Sequence, residues 1–401
     1  MRFVFSGHVL DIERRELRRG DTLIGLEPQV FDLLVYLLKN RDRVVSKDDL
    51  IEGVWGGRIV SESTLTSRIN AVRKAVGDSG EEQRLIRTIA RKGIRFVVDV
   101  TEQGNTAPMR GTAAPAQPAP PSALQQEIHF CTTPDGARIA YAEVGEGPPL
   151  VKAANWLNHL EYDWQSPIWS HLLQELAAEH RLVRYDARGN GLSDWEVDDI
   201  SFDAYVRDLE SVADAAKLDR FALFGISQGC AISIAYAVRH PERVSHLALY
   251  GGFARGRRRR GSPQGIAESE ALITLIRQGW GQETPAFRQI FTSLFIPGAT
   301  VEQIQWFNDL MRISASPENA VRLRRAVDEI DISDLLPRVR VPTLVLHCRD
   351  DAVQPFDEGR RLAAGIPGAR FVALEGRNHL ILESDPAWNR FVNEVKAFVR
   401  A

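Results

Sequence analysis

The chain has 401 residues, 44% of them hydrophobic and 26% charged, and 50 Lys and Arg against 53 Asp and Glu leave a formal net charge of −3. That much apolar material fits about two or three domains with their own cores rather than one. No run of about 18 apolar residues offers a membrane span, and "MRFVFSGHVLDIERRELRRG" turns charged too early for a secretory signal.

The three cysteines, Cys131, Cys230 and Cys348, lack the even count of a disulfide framework and the spacing of a zinc site. The expectation is a soluble, cytoplasmic protein with reduced thiols, no membrane contact and no metal or other cofactor.

The first hundred residues hold 18 Lys and Arg against 15 Asp and Glu, and nine of the basic residues against four acidic ones fall between Arg58 and Arg95. Charge of this kind is either a solvated face or a footprint for phosphate. Periodicity sharpens the choice. "EPQVFDLLVYLLKN" places Val30, Leu33, Leu34, Leu37 and Leu38 on one helical stripe, and "SKDDLIEGVW" offers Ser46 as an N-cap with Asp49 three residues on. In "STLTSRINAVRKAVGD", Leu65, Ile69, Val72 and Val76 share one face, while Ser63, Ser67, Asn70 and Lys74 fall close to the other. Hydrogen-bonding side chains on an outer helix face suit a major groove. "RLIRTIARKGIRFVV" then reads as two alternating strands around Arg91-Lys92-Gly93, a hairpin with a basic tip.

This order, helix, short helix ending in "VW", polar helix closing on "GD", then "IRTIARKGIRF", resembles the OmpR/PhoB-type (CadC-like) winged-helix effector domain over residues 1 to about 100. The opening "FVFSGHVLDIERRELRRGDTLIGL" matches that family's N-terminal sheet. The resemblance implies an α+β winged helix bound to double-stranded DNA, with the third helix in the major groove and the wing on the neighbouring backbone or minor groove. Ser63, Ser67, Asn70, Arg73 and Lys74 are its candidate contacts from the helix, and Arg91 and Lys92 those from the wing. No receiver domain is expected before this module and no membrane helix after it, which would place its control in the rest of the chain or in a partner.

Residues 101–126, in "TEQGNTAPMRGTAAPAQPAPPSALQQE", carry five prolines and almost no large apolar side chain. Such a segment cannot bury enough surface to fold and is expected to be a semi-rigid linker.

From residue 127 strands and helices alternate, which implies a mostly parallel sheet wrapped by helices. "RFALFGIS" is a short apolar strand ending at Ser227, and "QGCAISIAYAVRHP" a helix starting directly after it. A Gly-x-Ser-x-Gly match alone is weak, but a strand, a one-residue corner and a helix are the context that exposes a serine nucleophile. Later strands end at Asp350-Asp351 in "VPTLVLHCRDDAVQPF" and at His379 in "ARFVALEGRNHLILE".

With the "YDARGNGLSD" turn, the region resembles the α/β-hydrolase superfamily over about residues 127–401. The resemblance implies Ser227 as nucleophile, His379 as general base, and Asp351, rather than Asp350, as the group that orients the imidazole. The N–H groups of Gln228 and Trp156 would face the oxyanion. Ala154-Asn155 stands where relatives commonly carry His-Gly, so turnover and binding without turnover both stay open.

Three further features are open at this stage. Trp156, Trp164 and Trp169 line a pocket or fill the core. Roughly residues 252–338 form a helical cap, and "RGRRRRG" at its entrance, with Arg255 and Arg257 to Arg260, is a solvated run, a lure for an anionic ligand or a contact to DNA phosphate. The expected protein is a multidomain, one-component transcriptional regulator: an α+β winged helix followed by an α/β-hydrolase fold that senses, and hydrolyses, a small carbonyl ligand, with a homodimer as one possible assembly. The alternatives are a serine hydrolase for an ester, thioester or lactone that is only localised by its DNA module, and an interaction protein with an inactive triad.

Overall fold

Short alternating segments open the chain and pair with their neighbours at once, each leaving one apolar face to be covered by helices. The computed structural model describes residues 2–12, 14–20, 22–26, 28–55, 62–79, 82–89, 92–98, 100–103, 124–282 and 284–400, which divide into two units, Met1–Pro118 and Ala119–Ala401.

In the first unit, strands β1 (Arg2–Phe5), β2 (His8–Asp11), β3 (Glu16–Arg19) and β4 (Thr22–Ile24) precede helices α1 (Pro28–Lys39), α2 (Lys47–Trp55) and α3 (Glu62–Ala75). The hairpin β5 (Ile86–Ile89) and β6 (Gly93–Phe96) follows, then β7 (Thr101–Gln103). Phe3, Phe5, Leu10 and Leu17 from the sheet pack with Leu33, Leu34 and Leu37 of α1 and with Leu65 and Val72 of α3. The expected capping pair is present: Ser46 Oγ accepts the Asp49 N–H at 3.0 Å, and Asp49 Oδ2 accepts the Ser46 N–H at 2.9 Å. Val45 and Ile94 exchange two backbone hydrogen bonds, which fixes the hairpin to the helices. A Cβ at Gly93 (φ +138°) would stand 2.0 Å from Val45 O, so this corner admits only glycine.

One boundary moves. Thr101–Gln103, expected as the start of the linker, pairs with β1 and completes a five-stranded sheet in the order β4-β3-β2-β1-β7. Three polar residues show no hydrophobic period, so only the open edge of β1 makes them a strand. Residues 104–123, the rest of the Pro-rich stretch, lie outside the described residues.

The second unit is built on an eight-stranded sheet. Its strands are β8 (Glu127–Thr132), β9 (Arg138–Val144), β10 (Pro149–Lys152), β11 (Arg181–Tyr185), β12 (Phe221–Ile226), β13 (Val244–Tyr250), β14 (Thr343–Cys348) and β15 (Arg370–Leu374). Their order is β15-β14-β13-β12-β10-β11-β9-β8, parallel from β11 to β15, with β9 and β8 antiparallel at one edge. Every residue of β12 and β14 is buried, as expected for strands covered on both faces.

Helices α4 (Leu160–Trp164), α5 (Ser170–Ala177), α6 (Phe202–Ala215), α7 (Gln228–Arg239) and α12 (Phe356–Gly365) connect the strands, and α13 (Trp388–Val399) follows the last of them. Between β13 and β14 come α8 (Pro263–Gly279), α9 (Ala286–Phe295), α10 (Val301–Ser314) and α11 (Pro317–Asp328), within the span expected for a cap. The chain enters and leaves this insertion side by side: Gly256 N–H donates to Ile330 O at 2.7 Å and Ile332 N–H to Ala254 O at 2.9 Å. Buried Glu358 of α12 accepts the N–H groups of Ala254 and Arg255 at 3.0 and 3.1 Å.

Among the described residues no helix is long and apolar enough to cross a membrane, and no group of His, Cys, Asp or Glu could hold a metal ion. The three cysteines are free thiols.

Candidate functional site

Ser227 ends β12 with φ 53° and ψ −122°, a backbone region that side chains other than glycine rarely occupy. The corner is tight on both sides. A Cβ at Gly225 would lie 2.7 Å from Gly229 O, and one at Gly229 would lie 3.0 Å from Ala154 O. Ser227 N–H donates to Tyr250 O at 2.9 Å, so β13 holds the strained residue in place.

His379 follows β15 and Asp351 follows β14. The two are joined by a 2.6 Å contact between His379 Nδ1 and Asp351 Oδ2, with both side chains buried. Asp351 Oδ1 accepts the N–H groups of Val353 at 2.8 Å and Gln354 at 3.0 Å. Burial would raise the Asp351 carboxyl, but the neighbouring His379 and the Gln354 N–H hold it below the ordinary carboxylate value. Asp350 is exposed, whereas Asp351 is buried against the imidazole. Gly251 (φ +59°) leaves room for the pair, since a Cβ there would stand 3.3 Å from His379 Cε1. His379 Nε2 is buried and has no hydrogen-bond partner among the described residues. A base with one nitrogen fixed by a carboxylate and the other free is equipped to take a proton, and such hydrogen bonds often tighten only when substrate enters.

Of the expected oxyanion donors, Gln228 N–H opens α7 and Trp156 N–H lies in the turn after β10. Neither N–H has a backbone acceptor among the described residues. The missing glycine at position 155 is accommodated by side-chain bonds. Asn155 N–H donates to Asn158 Oδ1 at 2.8 Å, and Asn155 Oδ1 accepts Lys152 Nζ at 2.6 Å and Asn158 Nδ2 at 3.3 Å.

Lys152 is fully buried, which pushes its ammonium down to about 8. Trp169 lies under it, with Nζ 5.0 Å from the ring centroid, while Trp164 stacks near buried Arg184. These two tryptophans therefore support buried cations. Trp156 instead joins Trp280, Phe291 and Phe295 of the insertion, each ring centroid 5.7 Å from its own. Phe295 continues this wall to His379, its ring edge-on at 5.3 Å and its carbonyl accepting the His379 N–H at 2.8 Å.

The Arg run is divided between surface and interior, with Arg259 exposed and Arg257 buried. Arg258 pairs with Glu270 and Glu329, Arg259 with Glu329 and Arg255 with Glu358, while Arg257 is buried.

In the first unit α3 presents Asn70 and Lys74 to solvent, and Lys92 is exposed at the hairpin turn. Ser63 and Ser67 lie on α3 with their side chains outside the described residues, as Arg91 is altogether. Arg73 departs from expectation. It is buried, and its guanidinium donates to Ile86 O at 3.2 Å and Thr88 Oγ1 at 2.9 Å, tying α3 to β5 instead of facing DNA. Its position one residue before Lys74 gave no sign of this, because the partner strand lies beyond the helix.

Asp78 strengthens the same junction by accepting the N–H groups of Ser79, Arg84, Leu85 and Ile86. Two residues not singled out from the sequence stand out here. Arg87 and Arg95 are exposed and directly opposite in the β5–β6 register, a like-charge pair that an anion would relieve. Their alternation with Ile86, Ile94 and Phe96 was the available signal.

Residues 21–96 match the family described as transcriptional regulatory protein, C terminal (Trans_reg_C), and residues 154–388 match the alpha/beta hydrolase family. The AB hydrolase superfamily protein YisY of Bacillus subtilis is 28% identical over 255 residues, covering 63% of this chain and 92% of that protein. The putative carbamate hydrolase RutD of Rhizobium rhizogenes is 28% identical over 245 residues, covering 58% of this chain and 87% of that protein. Among solved structures, an esterase from Exiguobacterium antarcticum superposes with a TM-score of 0.57 at 25% identity, over 68% of this chain and 99% of that one.

Proposed function

Because the chain belongs to the alpha/beta hydrolase family and carries an OmpR/PhoB-type DNA-binding domain ahead of that region, we propose that it is a one-component transcriptional regulator whose hydrolase domain reads, and turns over, a small carbonyl compound. The observation that carries the enzymatic half is the strained Ser227 in the same strand-end layer as the 2.6 Å Asp351–His379 pair.

Ser227 Oγ attacks the carbonyl as His379 Nε2 takes its proton, and the N–H groups of Gln228 and Trp156 receive the oxyanion. His379 returns the proton to the leaving group, water then releases the acyl group as an acid, and Ser227 regains its proton. Asp351 keeps the imidazole in the tautomer this needs. On the DNA side, Asn70 and Lys74 of α3 meet base edges, while Lys92, Arg87 and Arg95 meet phosphates. Ser63, Ser67 and Arg91 belong to the same proposed face.

A fluorophosphonate probe tests both halves at once. The full chain is selected against a random DNA library, then labelled, and its occupancy of the selected duplex is measured before and after. Labelling at Ser227 with a change in occupancy is the expected result. Labelling without such a change favours an enzyme merely localised by its DNA module, and no labelling removes the nucleophile.

A further inference from the structure

Where the insertion meets the site, it brings more buried positive charge than buried carboxylate. Arg257 is 9% exposed and Arg324 only 3%. Arg324 lies on α11 with its guanidinium carbon 5.7 Å from the centroid of the Trp156 ring. Arg257 donates from Nη2 to the carbonyl of Val353 at 3.2 Å, two residues beyond Asp351. Partly buried Arg260 donates to Arg255 O at 2.9 Å and to the side-chain oxygen of Gln354. These guanidinium groups therefore approach the strand-end layer from two directions, beside Trp156 and beside the Asp351 loop.

The carboxylates nearby are already committed. Asp328 receives Nε and Nη2 of Arg324 and the Ser269 hydroxyl, the last at 2.6 Å. Glu358 is held by Arg255 and by two backbone N–H groups. Glu268, the acid nearest Arg257, is 4.0 Å away with a half-exposed side chain. Among the described residues, Arg257 thus donates only to a backbone carbonyl and Arg324 donates from Nε and Nη2 but not from Nη1. Burial, added to the neighbouring Arg324 and Arg260, pushes the Arg257 guanidinium down to about 10. Arg324 has its carboxylate in Asp328, but Arg257 is a cation held in a poorly solvated place without a close one, which is costly, and the cost is recovered when an anion arrives.

We propose that Arg257 and Arg324 form an anion-binding end of the substrate pocket, so that the ligand is a carboxylate-bearing ester or amide whose other carbonyl reaches Ser227. The chemistry of this proposal rests on the hydrolase reading, whereas its binding does not. For a half-ester the acyl carbon–oxygen bond breaks, the alcohol leaves with the proton from Ser227, and water completes a free dicarboxylate. Arg324 suits the task better than a lysine would, because its planar fork stays fixed on Asp328 while Nη1 is left to donate.

Monomethyl glutarate and its uncharged counterpart dimethyl glutarate serve as probes. Methanol release by the full chain is expected to favour the monoester by about tenfold or more in kcat/KM. Arg324→Gln and Arg257→Gln should each collapse that ratio, chiefly through KM. In parallel, Ser227→Ala protein titrated in a calorimeter should bind the monoester about tenfold more tightly than the diester. Should Arg324→Gln fail to fold, the preference of the unaltered chain and the Arg257→Gln variant still decide. Equal binding, preference for the diester, or no binding of either overturns the anion site. Preferential binding of the monoester with no turnover of either ester keeps the anion site and overturns the hydrolase reading, while equal turnover and equal binding do the reverse.

Discussion

The carbonyl of Phe295, at the end of α9, accepts the backbone N–H of His379 at 2.8 Å, and the Phe295 ring stands edge-on to the imidazole at 5.3 Å. A residue of the insertion thus helps set the position of a residue at the end of β15. Phe295→Ala keeps the main-chain bond but empties a buried volume shared with Trp156 and Phe307. The expected cost is about 3–5 kcal/mol in denaturant unfolding, with a fall in Ser227 labelling rate at temperatures where the variant is still folded. An unchanged midpoint would show that the ring is not part of the packing.

Strain at Ser227 gives a prediction of opposite sign. Glycine occupies φ 53°, ψ −122° without the Cβ conflict, so Ser227→Gly should raise the unfolding free energy by roughly 1 kcal/mol while abolishing fluorophosphonate labelling. Ser227→Ala, which keeps the Cβ, should abolish labelling with little gain. A calorimetric scan of the three proteins separates these outcomes.

Lys152 makes stability depend on pH in alkaline solution. Its folded value of about 8 lies below the ordinary 10.5, chiefly through burial, so between those values the unfolded chain binds more protons. Its contribution is therefore fully present above 10.5 and lost as pH falls through 8. Relative to Lys152→Met, the unaltered protein should gain up to about 3 kcal/mol between pH 7 and pH 10.5, read as a change in the difference between urea midpoints. A constant difference would show that the ammonium is not desolvated.

Arginine positions in the first unit divide into two kinds. Replacing exposed Arg87 and Arg95 together by Ala should weaken binding to all duplexes and reduce the slope of log K against log salt by about 2. Asn70→Ala should instead change which sequences a selection recovers. Buried Arg73→Ala should lower the melting temperature of the first unit, because Ile86 O and Thr88 lose their donor. If Arg73→Ala changed salt dependence without changing melting, its assignment to the interior would be wrong.

Legibility in the sequence followed the range over which the forces act. "RFALFGIS" and "VPTLVLHC" are readable because a strand covered on both faces is mostly apolar, and the strands within them, Phe221–Ile226 and Thr343–Cys348, are buried at every residue. The Ser, Asp, His order is readable because each residue follows shortly after its own strand. β7 was hidden, since its pairing with β1 depends on an edge about a hundred residues earlier. So was the partner of Lys152: a lysine in "LVKAA" gives no hint that Asn155, two tryptophan rings and the Asp163, Arg184 and Asp186 side chains surround one buried place. The arginine run stayed open between three readings because two of its acids, Glu329 and Glu358, lie about seventy to a hundred residues away.

The main-chain stem at residues 254–256 and 330–332 has a consequence for how this protein can change over time. Gly256 to Ile330 and Ala254 to Ile332 are backbone bonds, made by the main chain alone, and position 256 must stay glycine because a Cβ there would stand 2.4 Å from Asp328 O. Residues 257–329 therefore behave as a cassette mounted on a fixed bracket. Substitutions within it can redirect which compound is admitted while Ser227, Asp351 and the strands that carry them stay untouched. His379 is tethered to the cassette through the Phe295 carbonyl and the Asp351 loop through Arg257, so a transplanted insertion must bring a carbonyl to the first point and a donor to the second to leave the pair where it is.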